Sequence, residues 1–209
     1  AKVSSHYLIS KNGNIYNLVS DKKRAWHAGQ SYWNGILDIN SASIGVELDY
    51  LPSTKNNQFS SKLIYSLVEL IKFLIKKYNI SPKNILGHSD ISPYRKIDPG
   101  KFFPWHLLEK QKISFEVINF KEKKEIKNSI NLWYQKNCIN SKKKKTLFML
   151  NYIGYDVSLA LDRKRFFDQL IENYSNHFRY YKNYYYNKTQ IFNVIEQHFL
   201  NILLTKLKK

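Results

Sequence analysis

Hydrophobic and polar positions sort the chain into three stretches. Residues 3–9, VSSHYLI, alternate and then run apolar; Asn12-Gly13 follows, and NIYNLV resumes at Asn14. Two short apolar runs around an Asn-Gly predict a β-hairpin, because Asn and Gly tolerate the positive φ angles of a tight turn. Residues 24–29, RAWHAG, end in glycine and predict a loop. Residues 43–48, SIGVEL, are a compact apolar run broken by Glu47, the pattern of a buried strand. After Ser60 and Ser61, Ile64, Leu67, Val68, Ile71, Leu74, Ile75 and Tyr78 recur at i, i+3, i+4 spacing. This predicts an amphipathic helix of about five turns, closed by Asn79 and kept from restarting by Pro82. Residues 85–88, ILGH, predict the next strand. Together these elements give an α/β class: a mixed central sheet flanked by helices over residues 1–113.

Residues 114–144 change character. A charge cluster at 120–127, FKEKKEIK, and the run SKKKK at 141–145 mark a linker, with a short helix around residues 130–134 and SKKKK as a solvated tether. Beyond it, helical periodicity returns over residues 145–152, 163–178 and 188–204. Phe166, Phe167, Leu170, Ile171 and Tyr174 share one face of the middle stretch. A small C-terminal three-helix domain over residues 145–209 is predicted.

Composition changes this picture only in part. A chain of 209 residues with 43% hydrophobic content can bury a core. The one cysteine, Cys138, excludes an intrachain disulfide framework. The net charge of +18 invites a nucleic-acid reading, but lysine supplies nearly all of it. Arginine, the usual reader of bases and phosphates, appears only at 24, 95, 163, 165 and 179. Compositional drift accounts for the charge better, and no nucleic-acid partner is expected. No run reaches the ~18 apolar residues that span a bilayer, so no transmembrane segment is expected.

The candidate chemistry sits in residues 85–105, ILGHSDISPYRKIDPGKFFPW. His88 and Asp98 are both competent zinc donors, and Lys96 stands two residues before the carboxylate. These are two of the three protein donors of a catalytic zinc, with a cation beside them. Glu47, if it faces inward from its apolar strand, would have its pKa raised, which suits a general base near neutral pH. Arg95 is the residue expected to face solvent, and His6 is expected to be a hydrogen-bonded core histidine.

The blocks VSSHYLISKNGNIYNLV, AWHAGQSYW, SIGVEL and HSDISPYRKIDPG, in this order and spacing, resemble the zinc-dependent N-acetylmuramoyl-L-alanine amidases of the AmpD/AmiD type, which share a fold with the peptidoglycan recognition proteins. The resemblance covers about residues 3–110. It implies Zn2+ as cofactor with His88 and Asp98 as metal donors, Glu47 and Lys96 as catalytic residues, and Trp26, His27 and Asn40 on the substrate side. It further implies hydrolysis of the amide between N-acetylmuramic acid and L-alanine in peptidoglycan or muropeptides, by a monomer in the bacterial cell envelope, periplasmic or outer-membrane-associated. YIGYDVS and YSNHFR are similar to the peptidoglycan-binding helical module appended to AmiD-type enzymes.

Two departures follow. The family's first zinc histidine lies on a strand upstream of the VSSHYL block, so residues 1–113 are expected to form an amidase domain incomplete at its N-terminus. His6 or His27 would have to substitute as third donor, or that donor lies on sequence outside these 209 residues. The family's Arg-x-Asn-Asp run reads Asp38-Ile39-Asn40-Ser41 here. The competing expectation is therefore a non-catalytic peptidoglycan-binding protein or an inactive amidase remnant.

Overall fold

The computed structural model describes residues 3–51, 57–117, 124–178 and 188–207. Among them are three strands, β1 (Tyr7–Ile9), β2 (Ile15–Asn17) and β3 (Val46–Leu48). The helices are α1 (Ile39–Ala42), α2 (Ser61–Tyr78), α3 (His88–Ile91), α4 (Trp105–Lys110), α5 (Lys124–Lys136), α6 (Lys142–Ile153), α7 (Lys164–His177) and α8 (Lys188–Leu207). The sheet is mixed, as expected, with order β2-β1-β3.

β1 pairs antiparallel with β2 and parallel with β3. Side chains alternate across a pleated strand, so the sheet has two distinct faces. Tyr7 and Ile9 are buried and pack with the apolar stripe of α2, including Leu63, Leu67, Ile71 and Leu74. Leu8, opposite Tyr16 and Glu47, stands on the other face. There Tyr16 and Glu47 are exposed. The hairpin tip is fastened to α2: Ser66 Oγ donates to the Gly13 carbonyl at 2.7 Å. Gly13 has φ +88° and a Cβ there would lie 2.9 Å from the Lys62 carbonyl oxygen, so only glycine serves. α2 ends as the sequence predicts, with Asn79 left-handed at φ 52° and its N–H on the Ile75 carbonyl.

A second core joins the two ends of the chain. Leu147, Leu150, Leu170, Ile171, Tyr174, Ile195 and Phe199 of α6, α7 and α8 pack in one cluster with Ala28, Trp33, Ile39 and Ile91. Trp33 meets Tyr155 edge-on with centroids 5.1 Å apart. Asn34 N–H donates to the Gly154 carbonyl at 2.8 Å. The C-terminal helices thus pack directly on the sheet-bearing half.

Three local expectations are corrected. Residues 85–88 are not a strand; His88 opens α3, because the Asp90 carboxylate accepts from Gly87 N–H at 2.7 Å and bends the chain into a turn. The helix in the expected linker is the 13-residue α5. SKKKK is not a tether: Ser141 caps α6, accepting from Lys144 N–H, and the lysines form its first turn. Residues 118–123, the start of the charge cluster, and Arg179 lie outside the described residues. No helix among the described residues is long and apolar enough to cross a membrane.

Candidate active site

The loop from His88 to Asp98 closes on itself. Ser89 N–H donates to the Asp98 carbonyl at 2.9 Å. Across the same neck His88 Nδ1 lies 3.1 Å from Asp98 Oδ2. Burial pushes the Asp98 carboxyl up, but the hydrogen bond and charge of His88 and the nearby Lys96 more than offset this and hold it below its ordinary range. Lys96 is half-buried. His88 Nε2 lies 3.0 Å from the Ala28 carbonyl oxygen.

Arg95 is exposed, as expected, but its guanidinium is engaged. Its Nη2 donates to the Ala28 carbonyl at 2.7 Å and the Gln30 carbonyl at 3.0 Å, and reaches Ser92 Oγ at 3.0 Å. It ties the RAWHAG loop to the His88 loop with charge-assisted bonds. Nothing in the sequence marked it beyond its place before Lys96.

Asn40 acts on the same loop from below. It is buried, and its Oδ1 accepts from both His27 N–H at 2.9 Å and Ala28 N–H at 2.8 Å. The His27 ring lies flat over Gly45, where any Cβ would run into the imidazole. Burial, with the neighbouring His6 and His88 rings, pulls the His27 pKa down to about 4, against a raising bond to the Ser43 backbone. Its Nε2 is buried without a hydrogen-bond partner among the described residues. His6 is the expected core histidine: 1% exposed, with Nε2 on the Lys23 carbonyl at 2.9 Å and Nδ1 accepting from Gly45 N–H at 3.0 Å.

Glu47 stands on the open face of β3, two residues past Gly45, exposed rather than inward. Trp26 is 54% exposed at the rim, with the Arg24 guanidinium 4.1 Å above its ring. Arg24 is held there by Asp38 at 2.9 Å and Ser41 Oγ at 3.0 Å. The structure thus brings His88 and Asp98 into contact, with Lys96 near enough to act on the Asp98 charge and His88 near enough to act on the His27 ring, while Glu47 on β3 and Trp26 in the RAWHAG loop are exposed.

The donors test the zinc expectation directly. His88 Nδ1 and Asp98 Oδ2 lie 3.1 Å apart, a hydrogen-bond distance. Two donors to one tetrahedral zinc lie about 3.4 Å apart at metal–ligand distances of about 2.1 Å, so the pair would have to open that bond to share an ion. A third donor does not join them: among the described residues no group of three His, Cys, Asp or Glu side chains could hold a metal. His6 has both nitrogens engaged, and His27 Nε2 is buried. These residues alone do not fit a catalytic zinc, which takes three protein donors.

The chain resembles known proteins over its first half and, in fold, over its whole length. Residues 1–101 match the family described as N-acetylmuramoyl-L-alanine amidase. The N-acetylmuramoyl-L-alanine amidase AmiD of Escherichia coli is 41% identical over 125 residues, 54% of this chain and 45% of that protein. The 1,6-anhydro-N-acetylmuramyl-L-alanine amidase AmpD of Haemophilus influenzae is 43% identical over 105 residues, 50% of this chain and 55% of that protein. The chain spans about half the length of these relatives. A solved complex of the Escherichia coli AmiD with the substrate anhydro-N-acetylmuramic acid-L-Ala-D-gamma-Glu-L-Lys superposes with a TM-score of 0.71 at 29% identity, covering 99% of this chain and 80% of that one.

Proposed function

Because residues 1–101 belong to the N-acetylmuramoyl-L-alanine amidase family, we propose that this chain cleaves the amide between the lactyl group of N-acetylmuramic acid and L-alanine in peptidoglycan or muropeptides. The observation that carries the reading is the His88–Asp98 pair at 3.1 Å with Lys96 beside it. Glu47, exposed on β3, is the general base: it takes the proton of the attacking water and returns it to the leaving amine of L-alanine. Lys96 sits where negative charge develops on the carbonyl oxygen and stabilises it. Trp26 and His27 flank the substrate, and Asn40 serves it through the backbone of His27 and Ala28.

Zn2+ is the proposed cofactor, with His88 and Asp98 as donors; bound there it would supply Lewis-acid polarisation of the carbonyl. Among the described residues that donor set is short by one. Residues 145–209 are proposed as a wall-binding module that raises local concentration at the polymer. The place of action is the bacterial envelope, periplasmic or outer-membrane-associated, where that polymer lies.

The donor count also favours a second reading, a non-catalytic peptidoglycan-binding protein or inactive remnant. One experiment separates the two: zinc content of the 209-residue chain, and stem-peptide release from muropeptide by wild type and Glu47→Ala. Retained zinc and release that depends on Glu47 support the amidase. Binding of muropeptide with neither zinc nor release supports the second reading.

A further inference from the structure

We infer that the helical half of the chain is the frame that positions the candidate site, with Asn173 of α7 as the positioning residue for the loop bearing His88, Lys96 and Asp98. What that loop does rests on the amidase reading; how it is held does not.

The loop is gripped on two sides. On one side Tyr32 N–H donates to the Ile91 carbonyl at 2.8 Å, and Ser92 Oγ donates to the Gln30 carbonyl at 2.6 Å. On the other side every grip comes from the helical half. Asn173 is 2% exposed. Its Nδ2 donates to the Pro93 carbonyl at 2.7 Å and the Lys96 carbonyl at 3.0 Å. One nitrogen thus spans Tyr94 and Arg95 and fixes the bend from which Lys96 departs toward Asp98.

Nearer the neck, Asp90 is 0% exposed. It accepts from His177 Nδ1 at 2.7 Å and from Tyr155 Oη at 2.5 Å, while holding Gly87 N–H. The His177 ring is stacked between Trp105 and Phe178, at 3.6 and 4.0 Å. Between these points Tyr94 Oη donates to the Asp156 carbonyl at 2.8 Å.

These contacts are directional. A buried amide with two donors is costly unless both meet acceptors, so Asn173 tolerates one arrangement of the Pro93 and Lys96 carbonyls where an apolar contact would tolerate many. A wall-binding module that only tethered would need no such bonds to the loop carrying the metal donors. Displacing catalytic groups by about 1 Å costs on the order of a hundredfold in rate, so the frame has leverage on chemistry it does not touch.

The test is hydrogen–deuterium exchange of the full chain, read on residues 88–98, for wild type, Asn173→Asp, Asn173→Ser and Ile195→Ala. The Asp variant turns the donor into an acceptor facing two carbonyls; the Ser variant shortens the arm without adding charge. Ile195, 0% exposed on α8, loosens the same core as a control for plain destabilisation. Exchange in 88–98 should speed up about tenfold or more in either folded Asn173 variant, and stay within about threefold in Ile195→Ala at matched global stability. On muropeptide the Asn173 variants should lose kcat about tenfold or more with KM within about threefold. Unchanged protection of 88–98 in both Asn173 variants overturns the inference, as does equal loosening by Ile195→Ala. If the wild-type chain releases no stem peptide, the amidase reading fails, and the exchange result alone still decides this one.

Discussion

The sheet half and the helical half bury their side chains differently. The sheet half packs one face of three short strands on α2 and leaves the other face open, with Tyr16 and Glu47 exposed in register beside Leu8. The helical half closes its core on all sides and draws Ala28, Trp33, Ile39 and Ile91 into it. The His88 loop belongs to the first half in sequence but is anchored to the second by Asn173 and by the Asp90–His177 pair. The two halves therefore divide the candidate site between them. Glu47 rides on the sheet, while His88, Lys96 and Asp98 ride on a loop braced by helices, so their spacing depends on the seam.

The largest effect is expected from Lys96→Met, which removes the charge and leaves the loop's backbone bonds intact. kcat on muropeptide should fall roughly a hundredfold or more with thermal stability unchanged; an unchanged kcat would remove Lys96 from the chemistry. Next, Leu150→Ala and Leu63→Ala each empty a buried site, 0% and 1% exposed, one in each core. Each should cost roughly 2–5 kcal/mol by urea denaturation. If the two cores are joined at the seam, each variant unfolds in a single urea transition; two separate transitions would mean the seam is weak.

Acid and base should then stress opposite halves. His198 is 2% exposed, and burial, with the neighbouring His177, pulls it from 6.5 to about 3. A histidine with a depressed folded pKa stabilises the fold above its unfolded value and loses that contribution as pH falls from 6.5 toward about 3. Wild type should lose roughly 2 kcal/mol between about pH 7 and pH 5 from this group. His198→Phe should flatten that slope in a urea series, whatever its absolute stability.

Glu109 on α4 behaves in the opposite sense, and its effect should be the smallest. Burial and the nearby Glu116 push its pKa up from 4.5 to about 7. A raised carboxyl favours the fold at low pH and loses that contribution as pH rises from 4.5 through about 7. Glu109→Gln should therefore raise the melting temperature relative to wild type at about pH 8 and not at about pH 4; a gain of equal size at both would rule out titration as its cause.

Elements with strong local signals were legible in the sequence. The Asn-Gly turn, the i, i+3, i+4 stripe of α2 and its Asn79 stop, and the face of α7 all lie where periodicity places them. The contact between His88 and Asp98 was legible because the two sit ten residues apart and a single loop brings them together. What periodicity missed was local competition. Asp90 reaching back to Gly87 N–H turned an apolar run into the start of α3, and Ser141 made a lysine run into a helix. What it could not reach was long-range pairing. Asn173 meets Pro93, His177 meets Asp90 and Asn40 meets His27 only once the fold is closed, and no spacing along the chain encodes those partners.

The carboxylate of Asp90 carries a lesson for protein engineering. Catalytic domains and wall-binding units are often treated as interchangeable parts, to be recombined at a convenient joint. A chimera that grafted a foreign binding unit after residue 117 would remove His177 and Tyr155 together; wherever the new unit covered Asp90 again, its carboxylate would be left with Gly87 N–H as its one remaining donor among the described residues. An uncompensated buried charge of this kind costs several kcal/mol. A working graft would have to import a histidine and a phenol at matching positions, or replace Asp90 with a neutral side chain in the same step.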